Sequence, residues 1–352
     1  MRGIKIGNKT SKYPIIQGGM GVGVSLHKLA GAVSKEGGIG IISTADIGYQ
    51  EPDFKTNPKE ANLRAIGKEI KKAREIAGED KILGVNIMVA MKEYASIVKE
   101  CVKQKIDLII SGAGIPKDLP EYVKKTATKI APIVSSLRCC KLIVKHWMNK
   151  YDYVPDMIVI EGPEAGGHLG FKKEELDEEH KPKLEDITVE IVNYIKEVEK
   201  ETGKEIPVIS AGGIWDSKDI KKFLDLGADG VQMATRFVAT NECDASEEFK
   251  KAYVQAKKED IKIIKSPVGM PGRAIYNTFI KRTEKEPCKV DKCYQCIKTC
   301  NVANTPYCIT KALINAVKGN LKEGLVFCGS NVERVKEIVS VKTLMNELVC
   351  EL

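Results

Sequence analysis

Short apolar runs alternate with amphipathic stretches over most of the chain. Most of these runs are continuous, which is typical of strands buried on both faces of a parallel sheet. They predict strands at Pro14–Gln17, Ile39–Ser43, Ile82–Met88, Asp107–Ser111, Lys129–Ser135, Asp156–Glu161, Ile206–Ala211 and Gly230–Ala234. The amphipathic stretches between them predict helices, among them Pro58–Ala77, Lys92–Gln104, Ile187–Glu201 and Ser217–Leu226.

Eight βα units within about 240 residues match the size of a (β/α)8 barrel. A doubly wound parallel sheet is the alternative, but no G-x-G-x-x-G fingerprint follows any predicted strand, so the barrel is preferred. After about Ile261 the βα rhythm stops. We therefore predict an α/β fold, with a (β/α)8 TIM barrel over residues 1–265. A Cys-rich helical appendage over residues 266–352 would pack on it.

Glycine and polar residues stand where the predicted strands end. They are Gln17–Gly21, Asn86, Ser111–Gly114, Glu161–Gly162 and Ala211–Gly213. In a barrel the carboxyl ends of the strands form the mouth, which holds the active site, and glycine lets the backbone approach a ligand closely. The densely charged stretch Phe171–Asp186 is predicted to be a solvated loop over this mouth.

Composition narrows the class of protein. The chain has 352 residues, of which 43% are hydrophobic and 30% are charged, as in ordinary globular domains. No apolar run approaches the roughly 18 residues of a membrane-spanning helix, and the first residues lack a signal-peptide pattern, so we expect a cytoplasmic protein. Although the net charge is +8, both signs are interspersed, which does not favour nucleic-acid binding.

The cysteines indicate a candidate metal site. The chain has 11 cysteines, and without an export signal a disulfide framework is not expected. Cys293, Cys296 and Cys300 form C-x2-C-x3-C, a spacing used by iron–sulfur sites with a distant fourth ligand. Four thiolates also suit zinc, and reduced thiols without metal are the third interpretation. Cys308 is the candidate fourth ligand, with Cys288 or Cys328 as alternatives.

Two segments late in the predicted barrel indicate a phosphate site. One strand ends in Ala211-Gly212-Gly213 before a helix that starts near Asp216, and the next strand ends in Ala234-Thr235-Arg236. The loops after the last two strands of a barrel commonly bind phosphate through backbone N–H groups and a helix N-terminus. The pair therefore predicts a phosphate-bearing cofactor.

Several motifs carry a family resemblance. They are PIIQGGMGVGVSLHKLAGAVSKEGGIGIIS, GVNIMV, EGPEAGGHLG, SAGGI with GVQMATRF, and SPVGMPGRAI. In these motifs the chain resembles the nitronate monooxygenase family, formerly 2-nitropropane dioxygenases, which are FMN-dependent barrels. The same superfamily includes the flavin-type enoyl-acyl-carrier-protein reductases. The resemblance spans roughly residues 10–280 and implies FMN as the cofactor.

The resemblance implies positions for the residues that bind the flavin. It places Gly18, Gly19 and Met20 against the flavin ring, Asn86 in a hydrogen bond to the ring or ribityl chain, and Ser111 and Gly112 below the cofactor. It places Gly212, Gly213, Gln232, Met233, Ala234 and Thr235 around the phosphate. The family usually has glycine at the position of Ala234, and since alanine keeps its N–H we expect binding to survive.

His168 is the predicted catalytic residue. It lies within EAGGHLG, a glycine-rich loop after the strand that ends near Glu161. A histidine can take or give a proton near neutral pH. Glu164 in the same loop is a candidate anchor.

The resemblance implies an FMN-dependent nitronate monooxygenase that oxidatively denitrifies alkyl nitronates or nitroalkanes, with His168 abstracting the α-proton of a neutral nitroalkane. An NAD(P)H-dependent FMN reductase of enoyl thioesters or quinones is the alternative, and an iron–sulfur cluster would favour it. A flavin- or metal-binding regulatory or scaffold module is the third hypothesis. The expected partner is a small-molecule substrate, with NAD(P)H for the reductase and neither nucleic acid nor membrane. A homodimer is an open expectation.

Overall fold

The computed structural model describes residues 2–177 and 179–352. A hairpin of β1 (Lys5–Ile6) and β2 (Lys9–Thr10) precedes a closed parallel barrel. The barrel strands are β3 (Ile15–Gln17), β4 (Ile39–Ser43), β5 (Leu83–Met88), β6 (Leu108–Gly112), β7 (Lys129–Val134), β8 (Ile158–Glu161), β10 (Val208–Ala211) and β11 (Gly230–Met233). Each strand pairs in parallel with the next, and β11 closes the barrel against β3. The predicted barrel is confirmed, and the doubly wound sheet was the wrong alternative.

Helices cover the outside of the barrel and continue into the C-terminal segment. They are α1 (His27–Lys35), α2 (Pro58–Ala77), α3 (Tyr94–Lys103), α4 (Leu119–Val123), α5 (Leu137–Tyr151), α6 (Leu184–Thr202), α7 (Ser217–Asp225), α8 (Thr235–Val238), α9 (Glu247–Gln255), α10 (Thr278–Lys285), α11 (Ile309–Val317) and α12 (Val341–Val349). The four helices predicted above are present with small differences at their ends. Asp216 is the N-cap of α7 and accepts a hydrogen bond from the N–H of Asp219, as its residue type predicts.

The barrel interior is filled by aliphatic side chains. Ile16, Ile41, Ile110, Val159 and Ile209 belong to one fully buried apolar cluster, as expected for a packed barrel rather than a pore. No helix within the described residues is long and apolar enough to span a membrane.

A small antiparallel sheet joins the barrel to the C-terminal segment. Its strands are β12 (Ile261–Lys265), β13 (Pro271–Ile275) and β9 (Gly167–His168), with β13 in the centre. The predicted boundary between barrel and appendage, at residue 265, therefore falls inside the hairpin of β12 and β13. Three α-helices and two short 3-10 helices follow among the described residues, whereas residues 286–308 contain neither helix nor strand.

The predicted loop Phe171–Asp186 is only partly a loop. Lys173–Leu176 forms a 3-10 helix, and α6 begins at Leu184 rather than at the predicted Ile187. The acidic Glu185 and Asp186 belong to the first turn of α6. Negative side chains are stabilising there because the helix dipole is positive at its N-terminus. The high density of charged residues therefore did not indicate a loop at the start of α6. Glu178 lies outside the described residues.

Candidate active site

A deep cavity occupies the mouth of the barrel. It contains about 1610 Å³ of atom-free space, part of it open to solvent. The predicted site residues that line it are Gly18, Gly19, Met20, Asn86, Gly112, His168, Gly212, Gly213, Gln232, Met233, Ala234 and Thr235. These residues come from distant parts of the sequence, and the carboxyl ends of the barrel strands bring them together.

Ser111 is the predicted flavin-site residue that does not reach this cavity. It is fully buried in β6, where its hydroxyl lies 2.9 Å from the Tyr94 hydroxyl and donates to the Ile87 carbonyl. Because the side chains of a strand alternate between its two faces, the next residue, Gly112, lines the cavity instead.

The backbone at the predicted phosphate end suits close approach by a ligand. Gly212 and Gly213 have φ values of +104° and +82°, which glycine adopts readily. The short helix α8 begins at Thr235, directly after β11 and Ala234, and the first N–H groups of a helix have no acceptor within it. Ala234 itself has a φ of −130°, a value that does not require the glycine usual in the resembling family.

One side chain in this cavity has an unused hydrogen-bonding atom. Gln232 Oε1 is buried and has no hydrogen-bond partner among the described residues, and Gln232 lines the cavity. A buried polar atom without a partner is costly and is explained when a ligand supplies the missing donor. This atom and the glycine backbone fit an elongated polar cofactor that carries a phosphate.

His168 is held at the edge of the cavity by three contacts. Its backbone belongs to β9, where it pairs with Gly272 of β13. Its Nε2 lies 2.7 Å from Ser266 Oγ, and its ring meets the Phe327 ring edge to face at 4.9 Å between centroids. Burial lowers the pKa of His168 to about 4, so the imidazole is neutral at pH 7.

Glu161 is a second ionisable group on the cavity wall. It ends β8, and its Oε2 accepts a hydrogen bond of 2.9 Å from the N–H of Gly170. Burial raises the pKa of Glu161 to about 7, although the hydrogen bond from Gly170 acts in the opposite direction. The sequence marks Glu161 only as a polar strand end and does not predict its titration near neutrality.

The loop that carries His168 is anchored on both sides. Glu164 forms an ion pair with Lys181, and Arg273 donates hydrogen bonds to the carbonyls of Pro163 and Ala165. Although burial raises the pKa of Glu164, the hydrogen bonds to Lys181 and Ser330 lower it overall. The predicted anchoring role of Glu164 therefore has a structural basis.

The C-terminal segment supplies one wall of the cavity, which the sequence does not predict. Phe327, Cys328, Gly329, Ser330 and Asn331 line it. The Asn331 amide donates to the Gly213 carbonyl at 2.7 Å, which links this wall to the predicted phosphate loop. No periodic pattern marks these residues in the sequence, and only their contacts reveal their role.

The predicted metal ligands do not form one set. Cys328 is buried in the cavity wall, while Cys293, Cys296, Cys300 and Cys308 lie in or beside the irregular segment 286–308. All 11 cysteines are free thiols. Within residues 2–177 and 179–352, no three histidine, cysteine or carboxylate side chains are arranged to hold a metal ion. The zinc and iron–sulfur interpretations of the cysteines therefore stay predictions.

Comparison with known proteins decides the family. The family model described as nitronate monooxygenase matches residues 3–351 of the chain. The chain belongs to the nitronate monooxygenase family. This confirms the resemblance and makes the chain a member of an oxidoreductase family.

Other proteins share modest sequence identity with this nitronate monooxygenase family member over nearly its full length. A probable nitronate monooxygenase of Bacillus subtilis (strain 168) is 27% identical over 96% of this chain and 95% of its own length. The structure of FabK from Thermotoga maritima is similar with a TM-score of 0.72 and 26% identity, over 97% of this chain and 93% of that one. The nitroalkane oxidase of Streptomyces ansochromogenes has a TM-score of 0.71 and 20% identity, over 97% and 96%, which shows the shared fold.

Proposed function

We propose that this protein is an FMN-dependent nitronate monooxygenase that oxidises alkyl nitronates, and neutral nitroalkanes after their deprotonation, to a carbonyl compound and nitrite. The observation that carries the proposal is the position of His168. It lies on the same cavity as the residues of the flavin motifs. Family membership over residues 3–351 supports the same reaction class.

FMN would be held by the residues whose geometry fits it. Gly212, Gly213, Ala234 and Thr235 would receive the phosphate, and the unpartnered Gln232 Oε1 would accept a hydrogen bond from the cofactor. Gly18, Gly19, Met20 and Asn86 would face the isoalloxazine ring. When bound, FMN supplies the redox chemistry, the transfer of electrons from the nitronate towards oxygen.

The chain itself supplies the proton transfer. Neutral imidazole is the form that can accept a proton, and the lowered pKa of His168 keeps it neutral at working pH. Because Nε2 lies 2.7 Å from Ser266 Oγ, His168 acts as a base when Nε2–H donates to Ser266. Nδ1 is then left with a free lone pair for the α-proton of a nitroalkane. The C–H bond breaks, its electron pair stays on the substrate as the nitronate, and the proton moves to Nδ1.

Reduction of an enoyl thioester by NAD(P)H is the second candidate function. Part of the cavity lining is apolar or aromatic and comes from Phe249, Tyr253, Leu313, Leu325 and Phe327, a surface that suits contact with an acyl chain. The motifs that the chain shares with the superfamily of the flavin-type enoyl-acyl-carrier-protein reductases also support it.

Anaerobic mixing of the flavin-loaded protein with a nitronate and, separately, with NADH distinguishes the candidates. Bleaching of the flavin by the nitronate alone, followed by nitrite release when oxygen is admitted, supports the monooxygenase. Bleaching by NADH alone, with turnover of an enoyl thioester, would replace it by the reductase. Failure of the flavin to react with either donor would contradict both and favour a binding module without turnover.

A further inference from the structure

Glu161 stands at both ends of the loop that carries His168. The loop begins after Glu161, the last residue of β8, and residues 162–169 include His168. At Gly170 the chain returns to the same residue, because the N–H of Gly170 donates to Glu161 Oε2 at 2.9 Å. The backbone of Glu161 therefore fixes the start of the loop, and its carboxyl group fixes the end.

A second hydrogen bond holds Gly170 from the neighbouring strand. Ser135 directly follows β7, and its Oγ donates to the Gly170 carbonyl at 2.9 Å. Because β7 and β8 pair in parallel with Val134 opposite Ile160, Ser135 and Glu161 are the next residues on two adjacent strands. Glu161, Ser135 and Gly170 together form what we call the Gly170 clasp.

The Gly170 clasp leaves no room for a side chain on Gly170. An added Cβ would lie 3.1 Å from Ser135 Oγ and 3.2 Å from Glu161 Oε2, which is closer than ordinary van der Waals contact. Glycine lets the backbone approach both side chains this closely. The clasp is therefore a tight contact that uses the N–H and the carbonyl of the same residue.

The loop between its two ends is rich in glycine. Gly162, Gly166 and Gly167 belong to residues 162–169, and Gly167 has a φ of +75°. Glycine loses more conformational freedom on ordering than any other residue, so this loop becomes ordered only through bonds to the rest of the fold. A base that must meet one C–H bond of a substrate depends on those bonds.

On the β13 side, two backbone contacts hold the loop. His168 pairs with Gly272, and the N–H of Leu169 donates to the Pro271 carbonyl at 2.9 Å. The Gly170 clasp follows Leu169 directly and provides the attachment to the barrel. His168 is therefore held between the small antiparallel sheet and the ends of β7 and β8.

The proposed reaction gives no role to Glu161, although this residue lines the cavity. We propose that Glu161 is a positioning residue that fixes His168 for proton abstraction by bonding the N–H of Gly170. This inference rests on the proposed function, in which His168 is the base. Glu161 acts through the loop, so it needs no contact with the substrate.

The carboxyl group of the clasp has uncharged partners. Ser135 lies beside Glu161 at the end of β7, Ala211 of β10 is in register with it, and Gly170 donates its N–H. Burial raises the pKa of Glu161 to about 7, and the Gly170 N–H acts in the opposite direction. A carboxylate accepts a hydrogen bond more strongly than a neutral carboxyl group does. The clasp therefore tightens as the pH rises through 7.

The other ionisable groups on the described cavity lining titrate away from neutral pH. Burial lowers the pKa of His168 to about 4, raises the pKa of Cys328 to about 12 and raises the pKa of Tyr253 well above its usual range. Although burial raises the pKa of Glu164, hydrogen bonds, above all the one to Lys181, lower it overall. A change in activity near pH 7 therefore reports on the clasp.

Two variants of Glu161 in the flavin-loaded, full-length protein separate positioning from charge. Glu161→Ala removes the acceptor for the Gly170 N–H, and kcat on neutral nitroethane should fall by roughly 10- to 100-fold with little change in KM. Glu161→Gln keeps an acceptor oxygen and should restore kcat to within about 5-fold of the wild type. Both variants should oxidise preformed ethyl nitronate within about 3-fold of the wild-type rate, because that substrate needs no base.

The pH profile identifies the carboxyl group itself. In the wild type, kcat on neutral nitroethane should rise by roughly 5-fold as the pH increases through 7, with initial rates taken before nitroethane ionises in solution. Glu161→Gln should show no such rise. Glu174→Ala changes an exposed carboxylate in the 3-10 helix after the loop and is the matched control, which should keep both the rise and the wild-type rate.

A spectroscopic measurement tests the role of Glu161 whichever substrate the enzyme uses. The chain has 4 histidines, so ¹⁵N-labelling of histidine and comparison with His168→Ala identify the His168 ring signals. Glu161→Ala should shift these signals, and Glu161→Gln should leave them in place. If the wild type releases nitrite from neither substrate, the proposed function fails, and these spectra alone decide whether Glu161 positions His168.

Three results would overturn the proposal. They are unchanged His168 signals in Glu161→Ala, equal losses of rate with nitroethane and its nitronate, and a rate of Glu161→Gln as low as that of Glu161→Ala. If Glu161→Ala does not fold, Ser135→Ala replaces it, since this variant removes the bond to the Gly170 carbonyl. It should lower kcat on nitroethane by about 3- to 10-fold.

Discussion

His168 Nε2 lies 2.7 Å from Ser266 Oγ, although 98 residues separate the two along the chain. The contact joins the glycine-rich loop after β8 to the turn between β12 and β13. Ser266 Oγ also accepts the N–H of Val268 at 3.3 Å, so the hydroxyl is held in place. This relationship, together with the edge-to-face contact of the ring with Phe327, restrains the orientation of the imidazole.

Replacement of His168 by alanine should separate proton abstraction from the later redox steps. Activity on neutral nitroalkanes should fall by roughly 10²- to 10⁴-fold, the usual contribution of a general base. Activity on a preformed nitronate should stay within about 10-fold, because that substrate has already lost its proton. Steady-state rates of nitrite formation with both substrates measure the difference.

The control for this experiment is His180→Ala, an exposed histidine in the charged segment near the mouth. It should leave both activities unchanged. Full activity of His168→Ala on neutral nitroalkanes would remove the proposed role of His168.

Replacement of Ser266 by alanine should weaken proton abstraction without abolishing it. The hydrogen bond that orients the His168 ring would be lost, and one neutral hydrogen bond of roughly 0.5–1.5 kcal/mol corresponds to about a 3- to 10-fold decrease in kcat. Ser266→Thr keeps the hydroxyl and should restore most of the rate. A change in KM alone, or equal losses with nitronate and nitroalkane, would show that Ser266 does not act through His168.

The sequence predicts the barrel well because its strands are buried on both faces. A continuous apolar run such as Ile39–Ser43 is typical of a strand in a parallel sheet that is buried on both faces. The glycines at strand ends are equally informative, since the carboxyl ends of all barrel strands meet at one mouth.

The rest of the site depends on contacts that no local pattern encodes. Ser266 and Phe327 reach His168 only because the C-terminal segment folds back over the mouth. Ser111, which the sequence predicts at the flavin site, is buried against Tyr94, whereas its neighbour Gly112 lines the cavity. The pKa of Glu161 is raised by burial, and burial depends on the folded structure rather than on the local sequence.

Glu161 should make the stability of the flavin-free protein depend on pH. Its pKa is raised from 4.5 to about 7, so the folded state binds its proton more tightly than the unfolded state does. The contribution of this proton to the free energy of unfolding is complete below pH 4.5 and is lost as the pH rises through 7. The total loss is at most roughly 3 kcal/mol. Urea unfolding at several pH values should show this decrease in the wild type and a smaller one in Glu161→Gln.

A matched control is Glu174→Gln, which changes an exposed carboxylate in the 3-10 helix. It should preserve the pH dependence of the wild type. If Glu161→Gln and the wild type lose the same free energy of unfolding between pH 4.5 and 7, the raised pKa is wrong.

Gly213→Ala should weaken FMN binding more than it weakens the fold. Gly213 has a φ of +82°, and an added Cβ would lie 2.9 Å from Glu164 Cβ, so the loop that carries His168 would have to move away from the phosphate end of the cavity. Gly203→Ala is the matched control, because Gly203 also has a positive φ of +68° but has no atom within 4 Å of the added Cβ.

Both substitutions carry the cost of an alanine in the left-handed region, roughly 1–2 kcal/mol of unfolding free energy. Only Gly213→Ala should also raise the Kd for FMN, by about 10-fold or more, because it displaces the binding loop. A 10-fold increase in Kd corresponds to a loss of about 1.4 kcal/mol of binding free energy. Fluorescence titration of the flavin-free protein with FMN measures this difference. Equal Kd values for the two variants would contradict the assignment of Gly213 to the phosphate site, because the shared backbone strain would then account for the whole effect.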